Sequence, residues 1–126
     1  MGKFTGVLLA SDFDDTLVGD SCVLSPANRA ALEHFTAEGG VFTVSTGRAK
    51  RTFAPYAHTV PINAPVVLSN GAMLYDFSAD RVVVDLPLPA TAAADLTVLS
   101  EEMPELGIEC YHGDDVYIHR PNAHTQ

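Results

Sequence analysis

The chain has 126 residues, 47% hydrophobic and 18% charged, the composition of an ordinary globular protein able to bury a core. Seven Lys and Arg against 16 Asp and Glu leave a net charge of −9, which argues against non-specific nucleic-acid binding and against an anionic membrane surface. Phosphorylated ligands are not excluded, because a bound divalent cation inverts the local field. Cys22 and Cys110 follow no CxxC or disulfide-framework spacing, and neither a leader pattern nor a long apolar run occurs. A reducing cytoplasm is the expected compartment.

Residues 4–11 predict a buried strand, an apolar run that stops at the charges of Asp12-Phe13-Asp14-Asp15. Residues 15–25, with turn signals at Gly19-Asp20, predict a small excursion over the end of that strand. Ser25-Pro26 marks a helix start, Ser25 as the cap and Pro26 at the first helical position. Ala27, Ala30, Ala31 and Phe35, with Leu32 beside them, form the predicted apolar face, and Gly39-Gly40 stops the helix. The β-branched run Val41 to Ser45 predicts a second strand ending at Thr46-Gly47-Arg48. A second helix is predicted from about Arg48 to His58, weakened by Pro55. Pro61 and Pro65 bracket a loop, and residues 65–68 predict a third strand ending at Ser69-Asn70-Gly71.

This β-α-β-α-β order implies an α/β fold, a Rossmann-like parallel sheet with all three strand tips on one edge. Residues 73–76 and 81–85 then predict a hairpin, and 86–89 a linker. Thr91 is placed to cap a helix whose stripe Ala92, Leu96, Leu99 and Met103 reads as core packing. Residues 108–112 and 116–119 predict a further hairpin across Gly113-Asp114-Asp115. The predicted organisation is one core region over 1–84 and the beginning of an α/β module over 85–126.

Open α/β sheets carry their chemistry just beyond the carboxyl ends of the strands. Three carboxylates in four residues there repel one another unless a cation or protons offset the charge, which points to Mg²⁺ and phosphoryl chemistry. Asp12 is the candidate nucleophile and Asp14 the candidate general acid and base, with Asp12 and the Asp14 carbonyl as metal ligands. Thr46 and the Gly47 N–H, at the start of a helix, are candidate phosphate donors. Arg48 reads equally as a substrate contact or a solvated helix-start arginine. Asn70 and Gly71 read equally as donors from the third tip or as a tight hairpin turn. His112 and His119, at strand spacing, are placed at a solvated rim rather than as a metal pair. Cys110 is expected to be a small buried hydrophobe.

Asp12-Phe13-Asp14-Asp15-Thr16-Leu17 resembles the first signature of the haloacid-dehalogenase (HAD) superfamily of phosphotransferases. Val44-Ser45-Thr46-Gly47-Arg48 resembles its second in the Cof-type phosphatases, and Leu68-Ser69-Asn70-Gly71-Ala72 is similar to the turn they carry after strand 3. The region 91–119 resembles the start of their inserted type C2 α/β cap. The resemblance implies an Mg²⁺-dependent phosphomonoesterase that acts through an aspartyl-phosphate on small phosphorylated metabolites such as sugar phosphates. It assigns Asp12 as nucleophile and metal ligand, Asp14 as acid/base and carbonyl ligand, and Thr46 as the phosphate-binding hydroxyl. Where the family commonly has Gly, this chain has Asp15, a residue that tolerates unusual backbone angles.

The resemblance also implies a later Lys or Arg and a Gly-Asp-x-x-Asn-Asp motif, which follow the cap in these proteins. The given sequence stops short of both, and Gly113-Asp114-Asp115 does not replace them. Two expectations follow. The sequence reads as the N-terminal portion of such an enzyme, or as a catalytically silent fragment that serves as a binding or assembly element. Exposed apolar edges on an unfinished sheet imply an oligomer or a missing C-terminal segment. A response-regulator receiver domain requires a phosphorylatable Asp at its third strand tip. Thr46 and Asn70 stand at the second and third tips here, so that class is rejected.

Overall fold

The computed structural model describes residues 1–125. It divides into two compact units, Met1–Leu86 and the residues from Pro87 onward. The first is an α/β unit. Strand β1 (Leu8–Ser11) pairs in parallel with β2 (Val41–Val44), and helix α1 (Pro26–Ala37) connects them. Beyond β2 the parallel relation continues as a bridge between Ser45 and Val67, which brings in β3 (Val66–Leu68). Strand β3 then turns back antiparallel into β4 (Met73–Asp76), which pairs with β5 (Arg81–Asp85).

Burial explains why β2 is the centre of this unit. Phe42, Thr43 and Val44 are all buried, so both faces of the strand are covered. The core gathers Phe13, Val18, Leu24, Leu32, Phe42, Val44, Phe53, Val66, Leu68 and Tyr75 around it. Strand β1 is different: Leu8 is 65% exposed although the sequence predicts a buried strand. Its only ladder among the described residues is with β2, so its other edge gains no cover. The predicted start of this strand is also corrected. Residues 3–6 form a turn, with Gly6 at a φ of +82° that residues bearing a Cβ rarely adopt.

Helix α1 starts as its sequence dictates: the Ser25 hydroxyl accepts the Asn28 N–H at 3.1 Å, and Pro26 opens the first turn. Its buried face is not the predicted one. Leu32 is buried and Phe35 half-buried, whereas Ala27, Ala30 and Ala31 are exposed. At 100° per residue Ala27 and Ala30 lie opposite Leu32, so they serve helix propensity rather than packing. The predicted helix over 48–58 is also shorter. Helix α2 (Lys50–Phe53) gives way to a 3-10 turn, Ala54–Tyr56, because Pro55 lacks the N–H that an α-helix needs there.

The second unit holds helix α3 (Ala92–Glu102) and a hairpin of β6 (Ile108–His112) with β7 (Asp115–His119). The predicted core stripe is not a core: α3 buries none of its residues, and Leu99 and Met103 are exposed. Thr91 makes no side-chain cap and is itself helical, at φ −76° and ψ −16°. Cys110 is half-buried rather than buried. A two-stranded ribbon presents too little apolar area to enclose a helix.

Candidate active site at the strand tips

The site begins with Phe13. Its side chain is fully buried and packs edge-on against Phe53, with ring centroids 5.2 Å apart. With Phe13 anchored inward, the residues on either side, Asp12 and Asp14, are left at the surface. Asp12 is exposed; its Oδ1 accepts the Phe13 N–H at 2.8 Å, and the Thr16 hydroxyl lies 3.4 Å from Oδ2. Thr16 is a site residue that sequence reasoning passed over. Its signal is the four-residue spacing from Asp12 in a tight loop, where the Leu17 and Val18 N–H groups both donate to the Phe13 carbonyl. Asp15 sits at φ +58°, so the position commonly glycine in the family is held left-handed here by an aspartate.

Thr46 follows β2 and is only 4% exposed. Its hydroxyl oxygen accepts the Arg48 N–H at 3.1 Å, and a hydroxyl that accepts keeps its own proton to donate. Gly47 lies three residues before α2, not at a helix start, so no helix terminus lends its N–H extra pull. The second and third tips are laced by backbone bonds. Thr46 N–H donates to the Val67 carbonyl, Asn70 N–H to the Thr46 carbonyl at 3.2 Å, and Ser69 N–H to the Arg48 carbonyl at 2.9 Å.

The β3–β4 connection accordingly does two things. It is the turn between antiparallel strands, and it also delivers Asn70 to Gly47. A Cβ on Gly47 would stand 3.0 Å from Asn70 Oδ1, so the glycine is what admits that side chain. Ser69, Asn70 and Gly71 all have positive φ, of +51°, +56° and +97°. Two non-glycine residues in that region are costly by roughly 1 kcal/mol each, strain that is commonly tolerated where a loop must present particular groups.

Arg48 is half-buried and paired within the protein. Its Nε donates to Asp14 Oδ2 at 2.8 Å and its Nη2 to Oδ1 at 2.6 Å, a two-pronged grip on the carboxylate. The guanidinium beside Asp14 holds that carboxyl below the usual carboxylate range, and the Arg48 pKa is raised in turn. The same guanidinium lies over the rings of Phe13 (5.4 Å) and Tyr56 (4.9 Å).

Among the described residues no three His, Cys, Asp or Glu side chains cluster to enclose a metal ion. The donors that are present are hard oxygens, the exposed Asp12 carboxylate and nearby main-chain carbonyls. That set fits Mg²⁺, which takes one or two carboxylates and completes its shell with waters and phosphate oxygens. His112 and His119 are not a pair: the β6–β7 register sets them at opposite ends of the ladder, and His119 Nε2 meets Ser100 Oγ at 2.9 Å. A concavity of about 190 Å³ in the first unit, lined by Ala57, Ile62, Pro65, Val66 and Phe77, lies at the start of β3, away from the tips. An open depression of about 400 Å³ is lined by Asp15, Thr16, Leu17 and Val18 in the loop after β1. No described helix is long and apolar enough to cross a membrane.

Comparison with known proteins accords with this geometry. The chain is 27% identical over 118 residues to pyridoxal phosphate phosphatase YbhA of Escherichia coli, covering 94% of this chain and 43% of that protein. It is 29% identical over 120 residues to 5-amino-6-(5-phospho-D-ribitylamino)uracil phosphatase YitU of Bacillus subtilis, covering 93% and 44%. It therefore spans less than half the length of these relatives. A solved HAD-superfamily phosphatase from Bacteroides thetaiotaomicron superposes with a TM-score of 0.79 over 97% of this chain and 44% of its own; at 22% identity this establishes the shared fold. The model of the haloacid dehalogenase-like hydrolases matches residues 9–126, and the chain belongs to that family.

Proposed function

We propose that this chain carries the nucleophile side of an Mg²⁺-dependent phosphomonoesterase site that works on small phosphorylated metabolites, such as sugar phosphates, through an aspartyl-phosphate. The observation that supports it most is the convergence at one sheet edge: exposed Asp12 after β1, Thr46 after β2, and Asn70 of the third tip against Gly47. In this reading an Asp12 oxygen attacks phosphorus, and the bond from phosphorus to the leaving oxygen breaks. Asp14 serves as general acid to that oxygen once the Arg48 grip, which favours its carboxylate, has opened and it has taken up a proton; it then takes a proton from the water that opens the acyl phosphate, which returns Asp12 as a carboxylate and releases phosphate. Thr46 donates its hydroxyl proton to a phosphate oxygen, and Gly47, Asn70 and Gly71 add donors around it. The Asp12 carboxylate and the Asp14 carbonyl would hold Mg²⁺, which would supply neutralisation of charge on the transferring group.

The activities of the relatives, on pyridoxal phosphate and on a ribitylamino-uracil phosphate, support the metabolite class. In the same reading the region from Pro87 onward is the start of the α/β cap module, and the compartment is cytoplasmic. The test is hydrolysis of an aryl phosphate with Mg²⁺, beside Asp12→Asn. Turnover that disappears in the variant is expected. Turnover that survives it removes the aspartyl-phosphate.

A second reading is a silent chain that binds or assembles. The observation favouring it is that no third acid joins Asp12 and Asp14 among the described residues. Exposed apolar residues on β1 add that such a chain associates, with itself or with a further segment. No turnover above buffer, together with a larger species by light scattering, establishes this second reading over the first.

A further inference from the structure

The concavity at the start of β3 is a second place in the first unit where polar groups meet apolar walls. Ala57 and Val66, both buried, line it with Ile62 beside them, and Phe77, Asp76 and His58 join them. Its walls are fixed without a guest. The Thr43 hydroxyl donates to the Pro65 carbonyl at 2.7 Å. The Asn63 side chain accepts the Phe42 N–H at 2.7 Å and donates to the Gly40 carbonyl at 3.0 Å. Phe77 packs on Tyr75 and Phe53, with ring centroids 4.8 and 5.8 Å away. A preformed concavity of this kind loses little ordering entropy on binding.

Asp76 is the one carboxylate in this lining, and its two oxygens are used unequally. Oδ1 accepts the Ser78 N–H, the Ser78 hydroxyl and the Ala79 N–H, at 2.9, 2.7 and 3.1 Å. Oδ2 takes none of these bonds. They favour the ionised carboxyl, and Arg81, its partner in the β4–β5 ladder, adds a smaller contribution. The class of guest follows from this charge and these walls. An anion meets a like charge at Asp76. A neutral apolar guest strips water from Oδ2 and returns no bond. A metal ion gains nothing from Ala57, Ile62 and Val66. An ammonium group on a short alkyl chain satisfies both parts, and an aromatic wall at Phe77 favours a cation as well.

We infer that this concavity binds a small primary alkylammonium ion, its charge on Asp76 Oδ2 and its chain over Ala57, Ile62 and Val66. Neutral His58 on the rim offers a ring nitrogen as a further acceptor. The site lies away from the strand tips, and the inference does not depend on the phosphatase reading.

The probe is n-butylamine, whose bulk suits a space of about six waters, with n-butanol as its neutral isostere. Both are titrated into the chain at mildly alkaline pH while the NMR signals of Ala57, Ile62, Val66 and Phe77 are followed. Saturable shifts confined to the concavity are expected with the amine, and binding at least about 10-fold weaker with the alcohol. Asp76→Asn keeps a carbonyl oxygen for the Ser78 and Ala79 bonds and puts an amide nitrogen in place of the second oxygen. It is expected to weaken the amine by about 10-fold or more and to leave the alcohol unchanged. Equal binding of amine and alcohol overturns the inference, and that comparison needs no variant to fold. So does an amine affinity that Asp76→Asn leaves intact. Nα-acetyl-lysine methylamide then separates two sources of the same group. Binding as tight as n-butylamine identifies a protein lysine, and binding of the free amine alone identifies a small metabolite.

Discussion

Residues 1–86 and the residues from Pro87 onward use the same vocabulary of short strands and one amphipathic helix, yet only the first region has an interior. Every buried hydrophobic residue described lies in the first region, Phe13, Phe42, Phe53 and Leu68 among them. In the second, α3 buries nothing and β7 is exposed along its whole length. That region is held by the five-pair β6–β7 ladder, by Ser100 meeting His119, and by Arg120 donating to the Ser100 carbonyl. The difference teaches where the site can be. Asp14 and Arg48 need a rigid base to hold their geometry, and the buried aromatic cluster under the strand tips supplies one.

The largest expected effect comes from breaking the interior. Phe42→Ala should destabilise the first region by about 3–5 kcal/mol, whereas Tyr117→Ala on the exposed ribbon should change stability by less than about 0.5 kcal/mol. Urea unfolding of both variants checks the contrast. A comparable loss at Tyr117 would mean that the second region has a core after all. Native-state hydrogen exchange sharpens the same point: β2 amides should exchange only through global unfolding, and β6 and β7 amides through local opening.

Smaller effects probe single contacts. Ser25→Ala removes the side-chain bond to the Asn28 N–H and should cost about 1 kcal/mol by denaturant titration. Gly47→Ala sets a methyl 3.0 Å from Asn70 Oδ1, and should cost less than about 1 kcal/mol because exposed Asn70 can swing aside. Displaced Asn70 side-chain amide resonances with unchanged β1 and β2 signals are the expected readout. Unmoved amide resonances would show that the second and third tips do not touch.

The smallest effect depends on pH. The Ser78 hydroxyl, with the Ala79 and Ser78 N–H groups, holds the Asp76 carboxyl below its ordinary range. A carboxyl whose pKa is depressed on folding contributes stability above its unfolded value and loses it as pH falls through the folded one. The stability gap between the native chain and Asp76→Asn should therefore be open at neutral pH and close in acid. A gap that widens in acid would reverse the assignment.

Legibility of the site differed residue by residue. Asp12 and Asp14 stood out because like charges after an apolar run are costly without a purpose, and Thr46 because it ends the second strand, whereas Asn70 read equally as a donor and as a tight turn. Arg48 stayed ambiguous because its partners are 34 residues away at Asp14 and 26 away at Cys22, and no local pattern encodes such pairs. Thr16 was passed over because its role lies in the loop geometry that brings its hydroxyl back to Asp12.

The sequence by itself determined the order of elements, the α1 cap, the three tips on one edge and the family, all of which rest on local spacing and chain order. Tertiary structure alone decided which faces are covered. It left β1 and α3 exposed, turned Ala27 and Ala30 outward, and paired Arg48 with Asp14. Burial depends on what arrives from elsewhere in the chain, and periodicity marks a face as apolar without saying whether anything lies against it.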